Sequence, residues 1–315
     1  MIDRIPLLAW PRLPLLTILI YHRVLAKRSE LLPDEMDAER FERQMRYLAR
    51  YFSVIPLPEA VQRLHRGELP RRACCVTFDD GYADNLTVAL PILERYGLPA
   101  TLFVATGYID GGLMFNDAVI EIITNTRSAT LDFRDLDLDV HDTASVESRR
   151  ACAVSVLKRT RSLPPDTRNE LVKKMGRIAG IEEMPNDLML TRAQLVEMSR
   201  RGVEIGGHTV SHPVLSSLPD GEARSEIARG KTMLEEWIDK PIRCFAYPVG
   251  LPGRDFMPNH VAMARELGFE LAVTTANRMA NRESDAYELP RFMPWGRSML
   301  KFGARMVRKA WASTG

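Results

Sequence analysis

The run Ala73-Cys74-Cys75-Val76-Thr77-Phe78-Asp79-Asp80-Gly81-Tyr82 decides how this chain is read. Its first half is short, apolar and rich in small and β-branched residues, the pattern of a buried strand, and it ends on two adjacent carboxylates at a glycine corner. A second run repeats the arrangement far downstream. Gly202-Val203-Glu204-Ile205 reads as a strand and leads into His208-Thr209-Val210-Ser211-His212. Taken singly, the first run is an ordinary solvated turn and the second holds two surface histidines. Together, at two strand ends, they form a set suited to hydrolysis. One carboxylate and two imidazoles hold a divalent ion with positions left for water and substrate, and the second carboxylate acts as base.

Outward from these runs, strand-like and helix-like segments alternate. Leu15–Tyr21 reads as a first strand, and Phe41, Met45, Leu48 and Phe52 then fall on one helical face. After Ala73–Phe78 come Leu86, Leu90 and Leu93, with Gly97 as a stop. Thr101–Val104 is a further strand, and Thr191-x-x-Gln194 resembles a capping box ahead of Leu195 and Met198. Strands Val203–Ile205, Arg243–Ala246 and Leu271–Thr275 are separated by helices carrying Ile227, Leu234 and Trp237, then Val261, Ala264 and Leu267. This order predicts an α/β fold with a parallel sheet, doubly wound or closed into a barrel. Residues from about 111 to 187 break the rhythm: charged, mostly helical, with an extended piece near 131–140. They read as an insertion, a lid or substrate rim, within one catalytic domain spanning 1–315. His22, Asp79, Asp80, His208, His212, Tyr247 and Pro248 all fall at the C-terminal ends of strands, the edge where parallel α/β folds bind ligands. Of the six histidines, His65, His141 and His260 lie elsewhere and are expected on the surface.

Composition sets bounds. A hydrophobic content of 45% and a charged content of 27% over 315 residues describe a globular protein with ample core. Forty-three basic against 41 acidic side chains give +2, too near neutral to point to nucleic acid. Of the four cysteines, Cys74 and Cys75 are strand neighbours facing opposite ways, small core residues with no sign of an oxidising compartment. The apolar N-terminal stretch is broken by Pro6, Pro11 and Pro14 and lacks the form of a secretory signal. No segment reaches ~18 apolar residues. The expected location is therefore the cytoplasm. At the far end, about 298–311 reads as a basic amphipathic helix. Packing on the domain is its first reading; peripheral contact with an anionic membrane is the second.

The two runs resemble the first two motifs of the polysaccharide deacetylases (carbohydrate esterase family four, NodB-type homology domain). Ile18-Leu19-Ile20-Tyr21-His22-Arg23-Val24 looks like the opening strand of one branch of that family, and Ala100–Val104 the strand after the first motif. Phe245-Ala246-Tyr247-Pro248-Val249-Gly250 resembles the third motif and Leu289-Pro290-Arg291-Phe292 a closing segment. The resemblance runs from about residue 15 to 295. It implies a distorted, incomplete (β/α) barrel and a metal-dependent hydrolase of carbon–nitrogen amide bonds, one that removes N-acetyl groups from amino sugars of a polysaccharide or glycan precursor. By position it makes Asp79 the general base and Asp80, His208 and His212 the ligands of a divalent metal. Zinc is the default ion for that set, with cobalt, nickel and iron also fitting. It further implies an oxyanion donor, a backbone N–H in the turn Tyr247-Pro248-Val249.

The chain also departs from the family pattern. Ala246 stands where many members have an arginine that holds the catalytic aspartate, and Val249 where they have a tyrosine. Arg291 is the candidate replacement for the arginine; pairing with a surface acid is its other reading. No histidine follows His260, so the usual late acid is missing and His22 becomes the candidate general acid, with a structural histidine as the alternative. Asp117, at the start of the insertion, is a further residue within reach of the site. Two other functions compete: a two-histidine, one-carboxylate iron enzyme, which leaves Asp79 without a role, and a non-catalytic carbohydrate-binding relative.

Overall fold

The first strand, β1 (Leu16–Tyr21), is buried at all six positions. Helix α1 (Ala38–Tyr51) follows, capped by the Asp37 carboxylate on the Arg40 amide, then β2 (Ser53–Val54), α2 (Leu57–Arg66) and β3 (Ala73–Phe78). A π-turn at Asn85–Ala89 runs into α3 (Leu90–Arg95), followed by β4 (Ala100–Val104). The middle of the chain forms α4 (Phe115–Asn125), β5 (Thr130–Asp132), β6 (Val140–Asp142), α5 (Val146–Thr160) and α6 (Pro165–Ala179). The alternation then resumes with α7 (Arg192–Arg200), β7 (Glu204–Gly207), α8 (Asp220–Ile238), β8 (Cys244–Ala246), α9 (Pro258–Glu266), β9 (Leu271–Val273) and α10 (Met299–Ala312). This computed structural model describes residues 9–160, 163, 165–181, 183–294, 296 and 298–313.

The strands pair in parallel in the order β1-β3-β4-β7-β8-β9, with β2 against the start of β3. The result is a sheet curled into the incomplete (β/α) barrel. Between β9 and β1 the seam is stitched by a single segment. Leu289 exchanges backbone hydrogen bonds with Ala272 and Thr274, and Phe292 with Ile18 and Ile20. Alternation along the strands sorts the core into two clusters. Leu16, Ile18, Ala73 and Cys75 share one with Leu57, Val61 and Leu64 of α2. Leu19, Cys74, Val76 and Phe78 share the other with Phe41, Met45 and Leu48 of α1. Cys74 and Cys75 thus face opposite ways, as their strand positions require.

Three findings adjust the reading of the sequence. Helix α2 is absent from the sequence reading; its Pro58 lies in the first turn, where proline costs no hydrogen bond. The extended piece near 131–140 is an antiparallel pair, Thr130 opposite Asp142, that packs with α4, α5 and α6 on a separate cluster including Val119, Ile122, Phe133 and Val156. His260 is a correction: it is 2% exposed, buried where its Nδ1 accepts the Met257 amide at the start of α9. Helix α10 turns Phe302, Met306 and Ala310 into the core, with Leu300 and Trp311 outward. No helix among the described residues is long and apolar enough to cross a membrane.

Candidate active site

Parity along β3 carries Ala73, Cys75 and Thr77 to one face, and Asp79 continues that series just past the strand end. Asp80 follows with φ of 78° and Gly81 with 98°. Two consecutive left-handed residues turn the chain so sharply that the carboxylates separate, and glycine takes the second position without strain.

Asp79 is 2% exposed and meets Arg291, which is 0% exposed. The guanidinium grips it with two bonds, Nη1 to Oδ1 at 2.6 Å and Nη2 to Oδ2 at 2.7 Å. Arg291 is itself aimed, because its Nε donates to the Thr274 carbonyl at 2.9 Å. The residue leaves the seam segment that joins β9 to β1, which is how a side chain 212 positions away reaches the end of β3. Burial pushes the Asp79 carboxyl up, but the charge and hydrogen bonds of Arg291 outweigh it and hold the pKa below the usual range.

Asp80 faces the histidines. His208 Nε2 lies 3.5 Å and His212 Nε2 3.6 Å from Asp80 Oδ1, and the three ligand atoms lie within 4.8 Å of one another. Ligands at about 2.1 Å from a tetrahedral ion sit roughly 3.4 Å apart, so this spacing fits a divalent metal. Asp80 Oδ1 is buried and makes no hydrogen bond, an orphaned acceptor aimed at the common point. His208 Nδ1 lies 2.7 Å from the Ala246 carbonyl, which fixes Nδ1 as the protonated nitrogen and leaves Nε2 free as a ligand. Burial pulls the His208 pKa down, but the adjacent Asp80 and the charge of Asp79 raise it overall. Burial and the neighbouring His208 lower His212 to about 4.

A cleft of about 770 Å³ opens over these residues. His22 lines it with an exposed side chain on a loop that is pinned down. Asp84 accepts the Arg23 Nε and the Val24 amide, and the Asn85 side chain donates to the His22 carbonyl. Neither Asp84 nor Asn85 draws notice in the sequence, since both read as polar turn residues. The same cleft is lined by Asn116, Asp117 and Ile120 of α4 and Leu157 of α5. Asp117 accepts the Tyr82 hydroxyl at 3.0 Å. Burial raises its carboxyl to about 7, against the Tyr82 hydrogen bond and with help from the charge of Asp80.

The Tyr247–Val249 turn divides its three residues. The Tyr247 ring is buried, stacked on Phe256 at 3.8 Å with its hydroxyl on the Tyr287 carbonyl, and its amide is taken by Val273. Pro248 has no N–H and is buried. Only Val249 lines the cleft. It holds a φ of 58°, a strained state for a β-branched residue, and its N–H finds no hydrogen-bond partner among the described residues.

Known proteins resemble this chain in sequence and in fold. The polysaccharide deacetylase family profile matches residues 66–272. The Bacillus subtilis (strain 168) protein named "Putative polysaccharide deacetylase YxkH" is 24% identical over 292 residues, 92% of this chain and 75% of its own length. A poly-beta-1,6-N-acetyl-D-glucosamine N-deacetylase of Staphylococcus aureus (strain MSSA476) is 29% identical over 82 residues, 26% of this chain and 28% of its own. Among solved structures, the Streptococcus pyogenes deacetylase PplD in complex with acetate superposes with a TM-score of 0.62 at 19% identity, over 94% of this chain and 98% of that one. IcaB from Ammonifex degensii gives 0.60 at 20% identity, over 92% and 97%. These structures share the fold. With most of the sheet and both carboxylate and histidine motifs inside the matched region, the chain belongs to the polysaccharide deacetylase family and is a hydrolase of carbon–nitrogen amide bonds.

Proposed function

We propose that this hydrolase removes N-acetyl groups from amino-sugar residues of a polysaccharide or glycan precursor and depends on a divalent metal, zinc by default. The observation that carries the reading is the two-pronged Arg291–Asp79 pair beside the Asp80–His208–His212 cluster. A ligand set alone serves several chemistries; a second, separately held carboxylate at its edge serves hydrolysis. Asp80, His208 and His212 would hold the ion, which when bound makes water acidic and polarises the amide carbonyl.

The remaining steps belong to the chain. Asp79 takes a proton from the attacking water, and Arg291 keeps it ionised and oriented for that transfer. The oxyanion formed at the carbonyl receives the Val249 N–H, which has no other partner among the described residues. His22 protonates the departing sugar amine. The relative named for N-acetylglucosamine polymer supports a glycan substrate with an acetamido group. The clamp also weighs against the competing readings, because an iron oxygenase or a sugar-binding module has no use for a base held by a fully buried arginine.

Acetate release from a panel of N-acetylated oligosaccharides tests the reading. Turnover is expected to vanish with chelator and return on adding back zinc or cobalt. Release that is indifferent to chelator, or absent from every acetylated glycan, would contradict it.

A further inference from the structure

The loop from His208 to His212 is held in a shape it would not adopt alone. Thr209 has a φ of 66° and His212 a φ of 52°, so two residues with a Cβ sit in the left-handed region within four positions. Such a loop keeps its form only if its surroundings over-determine it. On one side the carbonyls of Thr209 and Val210 accept the amides of Thr106 and Gly107, and the Ser211 carbonyl accepts the Tyr108 hydroxyl. On the other side stands one residue of α8, Glu226. Its Oε2 accepts the Val210 amide at 2.9 Å and the Ser211 amide at 2.8 Å, and its Oε1 accepts the Ser211 hydroxyl at 3.0 Å. One turn further along, Gly230 lets the helix come this close. A Cβ there would lie 2.9 Å from the Thr209 carbonyl carbon and oxygen.

We propose that Glu226 is the positioning residue of the metal centre: by holding the Val210 and Ser211 amides, it fixes the backbone that aims His212 at Asp80. The inference rests on the reading of Asp80, His208 and His212 as ligands. Without the carboxylate, two loop amides lose their acceptor and the left-handed pair relaxes. His212 then no longer meets Asp80 at the spacing a metal requires, and the ligand set has to be reassembled at each binding event.

The test is metal affinity of the full chain, measured by chelator competition with zinc and by the visible absorption of the cobalt form. Glu226→Ala is expected to weaken binding about 10–100-fold, the range for partners that orient metal ligands. Glu226→Asp keeps the charge but stops one methylene short, and is expected to weaken binding in the same direction. It also serves if the alanine variant fails to fold. Glu226→Gln keeps an acceptor for both amides and is expected to stay close to wild type. Glu235→Ala is the control: on the same helix its carboxylate accepts Lys231 and the Ile242 amide, so it affects stability and leaves metal affinity unchanged. Wild-type affinity and cobalt spectrum in both Glu226→Ala and Glu226→Asp would overturn the proposal while leaving the ligand set intact. A wild-type chain that binds no metal would overturn the ligand reading and this inference with it.

Discussion

At the scale of single residues, the Arg291–Asp79 pair is the most consequential contact. Both groups are nearly free of solvent, so neither charge is tolerable without the other. Arg291→Met is expected to destabilise the fold by ~3–5 kcal/mol, read by denaturant unfolding at neutral pH. The pH dependence has a definite sign. Asp79 is depressed in the folded protein, so the pair contributes stability above the ordinary aspartate pKa of ~3.9 and loses it as pH falls through the lower folded value. The gap between wild type and Arg291→Met should therefore narrow in acid, where a protonated Asp79 needs no partner. A gap that stays constant down to strongly acidic pH would mean the loss is one of packing alone. Residue by residue, the sequence is most informative where the chemistry is local. Asp79-Asp80 and His208-x-x-x-His212 announce themselves by adjacency. Arg291 shows as a candidate, but the direction of its guanidinium depends on a seam formed 212 residues from its partner. Glu226 gives no signal, because an acid on a helix looks like a solvated face until the loop it holds is seen.

At the scale of elements, the site is built from strand ends and turns, and at one of them the backbone matters more than the side chains. The third motif shows this. Tyr247 is its most conspicuous residue, yet the ring serves the core, and the unused amide belongs to Val249. Sequence marks the turn but cannot say which of its three residues faces the cleft. Val249 holds a conformation that costs of order 1–3 kcal/mol for a residue with a branched Cβ. Val249→Gly keeps the N–H and removes that strain, offset by roughly 0.4–1 kcal/mol of added freedom in the unfolded chain. A net gain of about 1 kcal/mol in thermal or denaturant unfolding is expected, with metal binding unchanged. Lower stability would show that the isopropyl group packs more usefully than its exposure implies. The end of β1 is the companion case. His22→Ala should keep the fold and the metal, since Asp84 and Asn85 hold the loop through its backbone and Arg23. A general acid delivers the proton that the leaving amine needs, so the variant should bind metal normally and lose most of its acetate release. A variant with normal turnover would return His22 to a structural role.

At the scale of the whole molecule, the fold works by collecting distant segments on one edge of a parallel sheet. The ends of β1, β3, β7 and β8 deliver His22, the two carboxylates, the histidine loop and the Val249 turn, and the seam segment delivers Arg291. Alternating strands and helices are legible because burial imposes a period on each. The choice between an open sheet and a barrel is not, since it hangs on the hydrogen bonds of Leu289 and Phe292 across the seam, and those residues carry no periodic signature. The proposed chemistry depends on one division of labour, between a carboxylate that moves a proton and a neighbour that holds metal. Metal content and turnover measured side by side for Asp79→Asn and Asp80→Asn test it most directly. Asp79→Asn is expected to keep its metal and lose ~10²–10⁴-fold in turnover, and Asp80→Asn to lose the metal itself. Two variants alike in both metal content and rate would contradict the account.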